Sequence, residues 1–93
     1  MYSRKVKVIN KSGLHARPAA AFVTEASRFS STITVEKLND PDESGPMNAK
    51  AIIKILSLLI SKGDEIEIAA TGDDEKEAVD ALVELVESGC KEM

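Results

Sequence analysis

No tryptophan, one tyrosine and two phenylalanines occur in the 93 residues, so the core must be assembled from Val, Ile, Leu and Ala. The same scarcity argues against a site that binds nucleic acid by stacking on its bases. Cys90 is the single cysteine, which leaves no internal disulfide and no cysteine-rich metal site and suits a reducing compartment. With one histidine and no cluster of ligating residues, neither a metal nor a resident cofactor is expected. A hydrolytic or metal enzyme is disfavoured on the same ground. The formal charge of −4 supplies no general positive field for nucleic acid or anionic membranes, so any anion site must be local. The start of the chain, Met1-Tyr2-Ser3-Arg4-Lys5, opens at once into alternation without the unbroken apolar run of a signal peptide or membrane span. A cytoplasmic protein without membrane insertion is the expectation.

The chain does hold enough apolar residues, 43% against 30% charged, for one compact domain spanning 1–93 with a modest core. Tyr2 to Ile9 alternate, with Val6 and Val8 opposite Lys5 and Lys7, as a strand buried on one side does. Asn10-Lys11-Ser12-Gly13 breaks it with turn formers. From Ala16 to about Arg28, Ala19, Phe22, Val23 and Ala26 recur at helical spacing, and Pro18 suits a first turn. Thr32 to about Leu38 alternates as a second strand. The acidic run Asn39 to Pro46 cannot continue it and predicts an exposed hairpin loop, with a short strand near Met47 beyond it. Lys50 to Ile60 predicts a short apolar helix and Glu65 to Thr71 the clearest strand of the second half. Asp73 and Asp74 are placed to cap a last helix through Ala78, Val79, Leu82, Val83 and Val86, which Gly89 stops. Cys90 is expected in a frayed tail. Elements with one apolar face each predict an α+β, two-layer sandwich.

Chemistry concentrates at one place. Gly13-Leu14-His15-Ala16-Arg17-Pro18 sets the only histidine where a loop becomes a helix. The first-turn N–H groups of a helix lack internal partners and face incoming anions. The partial positive charge of that end is worth about 0.3 to 1 kcal/mol to an exposed anion, and Arg17 adds a full charge. Both stabilise a phosphoryl group once attached to His15. Pro18 removes one N–H, so Ala16 and Arg17 supply the nearby amide donors, and small Ala16 and Ala20 leave room for a partner's surface. A lone histidine is ordinarily a surface or capping residue; the sequence context around His15 reverses that reading.

The stretch Gly13-Leu14-His15-Ala16-Arg17-Pro18-Ala19-Ala20 resembles the active-site signature of HPr, the histidine-containing phosphocarrier of the bacterial phosphotransferase system. Asn48-Ala49-Lys50-Ala51, Ser57-Leu58, Lys62-Gly63 and Gly72-Asp73-Asp74-Glu75 fall in the family's order, so the resemblance covers nearly the whole chain. It implies an open-faced sandwich of the order βαββαβα: a four-stranded antiparallel sheet with three helices on one face. It implies a relay protein rather than an enzyme, taking a phosphoryl group from phosphoenolpyruvate-charged enzyme I on His15 Nδ1 and passing it to sugar-specific IIA proteins. Ser12, Ala16 and Arg17 would bind the phosphoryl oxygens. A monomer is expected, docking through Ala16, Ala20, Ile52, Ile53, Lys54 and Leu56, with Lys50 and Lys54 steering acidic partners.

Two departures stand out. Relatives under kinase control carry a regulatory serine where this chain has Ala51, which has no hydroxyl to phosphorylate or to cap a helix. Ser44 and Ser57 are weak substitutes. The acidic segment from Asn39 to Pro46 is longer than the family's usual hairpin. The alternative function is an HPr-like regulatory binding module of a nitrogen-related or other non-sugar relay. Such relatives can lose the histidine, and this chain keeps it.

Overall fold

The computed structural model describes residues 1–38 and 44–90. Its elements are β1 (Tyr2–Lys7), α1 (Ala16–Ala26), β2 (Thr32–Lys37), β3 (Met47–Asn48), α2 (Ile52–Ser57), β4 (Glu65–Thr71) and α3 (Glu75–Glu87), the expected order. The strands form one sheet in the order β1-β4-β2-β3, every neighbour antiparallel. Val6 stands opposite Ile66, and Val35 opposite Ile68, so the inward residues of three strands meet on one side. The helices cover that side; Ser3, Lys5, Thr34, Glu36 and Glu67 lie on the other, as period-two alternation requires.

Amphipathic spacing explains the cover. Ala19, Phe22 and Ala26 of α1 are fully buried, as are Ala78, Val79, Leu82 and Val83 of α3. The α3 helix packs on β1, β4 and β2, and α1 packs between α3 and α2. Phe22 is among the largest fully buried side chains, and truncation to Ala would cost about 3 to 5 kcal/mol. Phe29 packs half-buried against the same core.

Several ends differ from the sequence reading. The first helix ends at Ala26 with Ser27 as its C-cap, and beyond it the Arg28 and Phe29 N–H groups bond the Glu25 and Ala26 carbonyls, three residues back, at 3.1 and 3.3 Å. The second spans only Ile52–Ser57, since Lys50 and Ala51 belong to the turn after β3 and Leu59 takes a left-handed φ of 53°. Its apolar run is nonetheless used, with Ile55, Leu58 and Ile60 buried. Asp74 occupies the N-cap of α3 but makes no side-chain bond to that helix. Its carboxylate accepts instead from the backbone N–H of Ser30 at 2.9 Å and of Ser31 at 3.0 Å, and from the Ser31 hydroxyl. These bonds, that of the Ser31 hydroxyl first, hold the Asp74 carboxyl below the usual carboxylate range. Cys90 is not in a frayed tail: it is 3% exposed, and its N–H bonds the Leu85 carbonyl at 2.8 Å in a Schellman ending through Gly89.

The β2–β3 pairing joins the two sides of the expected hairpin, with Thr34 opposite Asn48. The acidic residues Asp40, Asp42 and Glu43 of the loop between them lie outside the described residues. Among the described residues no helix is long and apolar enough to cross a membrane.

Candidate functional site

His15 is the N-cap of α1, with φ −128° and ψ 158°, and its side chain makes no cap hydrogen bond. The imidazole is half-buried and not spent on capping, where Ser, Asp or Asn would bond the helix amides. Ala16 follows at φ 52°, a left-handed conformation that costs a residue with a Cβ about 1 to 2 kcal/mol. The chain thus passes from extended to left-handed to helical within a few residues, and strain of this kind clusters at functional sites. The Ala16 and Arg17 amides open the helix without intrahelical acceptors, and no acidic side chain in its first turn offsets the positive end. Arg17 is exposed and makes no ion pair with a described residue. Ser12 is exposed in the loop just before Gly13.

The loop carrying His15 is locked to the segment after α2. Leu14 is fully buried and its N–H bonds the Ile60 carbonyl at 3.0 Å. Gly13 sits at φ 64°, and a Cβ built on it would stand 2.3 Å from the Ile60 carbonyl oxygen. Only glycine permits that approach. Val8 exchanges bonds with the same turn, donating to the Asp64 carbonyl at 2.8 Å and accepting from Gly63 at 2.7 Å. Lys37 braces the turn from β2, 3.3 Å from the Leu59 carbonyl and 3.8 Å from the Asp64 carboxylate.

The proposed docking residues divide. Ala16, Ala20, Ile52, Ile53 and Lys54 are exposed, and the contact between α1 and α2 makes their helices neighbours. Leu56 is half-buried and packs against the core, so little of it is free for a partner. Lys50 is tied down, its Nζ donating to the Phe29 carbonyl at 2.6 Å, so it braces the α1–β2 turn. Two residues escaped the sequence reading. Leu59 is 60% exposed next to the Ile60 anchor, which periodicity cannot reveal once the helix has ended. Asn10 is fully buried, although its sequence neighbours marked it only as a turn former. Among the described residues there is no group of three or more metal-ligating side chains.

The family model for the PTS HPr component phosphorylation site matches residues 2–88. The chain is 43% identical over 86 residues to the phosphocarrier protein HPr of Haemophilus influenzae, covering 92% of this chain and 95% of that protein. It is 44% identical over 87 residues to the HPr-like protein Crh of Bacillus subtilis, covering 94% and 96%. The crystal structure of HPr-C-His from Thermoanaerobacter tengcongensis superposes with a TM-score of 0.89 at 49% identity, covering 100% of both chains. His15 stands at the N-cap of α1 with no cap hydrogen bond, two residues before exposed Arg17, and with these matches the chain belongs to the HPr family of phosphocarrier proteins, relay carriers rather than enzymes.

Proposed function

We propose that His15 accepts a phosphoryl group from phosphoenolpyruvate-charged enzyme I and delivers it to IIA components of the sugar phosphotransferase system, in the cytoplasm. The observation that carries this reading is the His15 N-cap whose side chain leaves the helix amides open. As the imidazole attacks, an N–P bond forms at Nδ1 while the bond from phosphorus to the charged donor breaks; delivery reverses the exchange. The Ala16 and Arg17 amides and the Arg17 guanidinium face the charge that gathers on the phosphoryl oxygens, with Ser12 at the loop side. The partner docks on Ala16, Ala20, Ile52, Ile53 and Lys54, extended by Leu59 and the free edge of Leu56. Rapid release calls for a small interface, below about 1,200 Å². The carrier works as a monomer through its HPr-like domain.

Incubation with enzyme I and phosphoenolpyruvate, followed by intact-mass analysis before and after mild acid, tests this. One acid-labile phosphoryl group is expected on the wild type and none on His15→Ala. No adduct with several active enzyme I preparations would refute it.

The likeness to Crh favours a second reading, a regulatory binding module. One Crh structure is described as a swapped dimer. Retention of His15 supports the carrier, and sedimentation of the purified chain distinguishes the monomer from such a dimer. A His15→Ala variant that still binds its partner but no longer regulates it would disfavour binding alone.

A further inference from the structure

We infer that Asn10 is a positioning residue for His15, fixing through its side-chain amide the peptide group on which the reactive loop turns; this rests on the carrier reading above. Asn10 lies five positions before His15 in the chain and is fully buried, one of two buried polar residues among those described, with Ser31. Its Nδ2 donates to the Gly13 carbonyl at 2.7 Å, and its own carbonyl accepts the Gly13 N–H at 3.1 Å. The Gly13 carbonyl and the Leu14 N–H are the two ends of one peptide group. Asn10 holds the first and the Ile60 carbonyl, 3.0 Å away, holds the second.

That peptide plane is therefore pinned from both sides. It needs pinning, because Gly13 at φ 64° has the widest backbone freedom of the loop, and Ala16 at φ 52° stores strain on the far side of His15. If the plane turned, both bonds would break and the His15 Cα, attached through Leu14, would move. Two residues before Asn10, Val8 is fully buried and bonded both ways to the Gly63–Asp64 turn, which anchors the chain as it enters the loop. The donor must be an amide: a carboxylate at the same place would set an oxygen against the Gly13 oxygen, and an alanine would leave that carbonyl buried beside nothing. In-line transfer depends on orientation, and a displacement near 1 Å lowers rates by about 100-fold.

Two measurements test the assignment. In the first, Asn10→Ala and Asn10→Asp are compared with wild type and with Val79→Ala, a buried substitution in α3. Transfer from phosphorylated enzyme I should fall about 10- to 100-fold in kcat with KM little changed for both Asn10 variants, and stay at the wild-type rate in Val79→Ala at a temperature where all are folded. In the second, amide hydrogen exchange at Leu14 should rise at least about tenfold in Asn10→Ala, relative to exchange at Ile68 in the same sample. Wild-type kcat in Asn10→Ala, an equal loss in Val79→Ala, or unchanged Leu14 exchange would each overturn the assignment alone. A wild-type protein that enzyme I cannot phosphorylate would remove the carrier reading and this role together.

Discussion

Replacing Gly13 by alanine perturbs the loop at its tightest point. The new Cβ would lie 2.3 Å from the Ile60 carbonyl oxygen and 2.8 Å from the Ser61 Cα, both backbone atoms that no side-chain rotation can move. The φ of 64° adds about 1 to 2 kcal/mol for a residue with a Cβ. Separating the two segments enough to fit the methyl group breaks the Leu14–Ile60 bond, worth about 1 kcal/mol net. Against this, alanine narrows the unfolded ensemble by about 0.4 to 1 kcal/mol. The net loss is about 2 kcal/mol, which in a domain of this size lowers the melting midpoint by about 8 to 16 °C. Gly63→Ala is the control. That residue also has a positive φ, 93°, but nothing lies within 4 Å of its Cβ position, so only the backbone cost applies. Thermal melts of the two variants, with urea denaturation for ΔG, should show Gly13→Ala as the more damaging by about 1 kcal/mol. Equal losses, or a Gly13→Ala midpoint within a degree or two of wild type, would refute the argument that close approach of the two segments selects glycine.

Arg17→Gln should fold normally and accept phosphate about 10- to 100-fold more slowly, the loss of one charge-assisted bond to the phosphoryl oxygens, as read by rapid-quench transfer assays. Ile53→Glu, at a side chain 72% exposed, should change stability by less than about 0.5 kcal/mol while raising KM for phosphorylated enzyme I; unaltered KM would place docking elsewhere. For Asp74 the folded-state pKa is lowered by the Ser31 and Ser30 bonds, so its contribution is present above the ordinary carboxylate range and lost as pH falls through the lowered value. The melting midpoint of wild type should accordingly exceed that of Asp74→Asn at neutral pH and converge on it in acid; parallel pH profiles would contradict this.

How much was legible in the sequence depended on how local the cause was. β4 runs from Glu65 to Thr71 as alternation demanded, because Ile66, Ile68 and Ala70 face the helices in a central strand. The fold order followed from such faces, and the family, with His15 and Arg17 as its candidate site, from a short contiguous motif. Causes that cross the chain were hidden. Asp74 reads as a cap in one dimension, yet its partners lie 43 and 44 residues away. Cys90 looked like tail because nothing local shows that Gly89 folds it back onto Leu85. Lys50, expected to steer acidic partners, hides its brace for the same reason, its acceptor being 21 residues away. Asn10 is the sharpest instance, since a turn former and a buried brace have the same letter.

The two ends of α1 are built on opposite terms. At its start the N-cap side chain makes no capping bond, the next residue is left-handed, and the following arginine is unfavourable to the helix dipole. Near its end, Ser30 and Ser31 are clamped by Asp74, and Lys50 grips the Phe29 carbonyl. A strained segment persists only where its surroundings over-determine it. The clamp at the far end, the buried Ala19–Phe22–Ala26 face and the Gly13–Leu14 anchor together supply that surplus. Stabilising interactions kept away from His15 leave the first amides of α1 without a capping side chain, open to the phosphoryl group proposed for that residue. A side chain that capped α1 at position 15 would strengthen the helix by about 1 kcal/mol and close the site with the same bond.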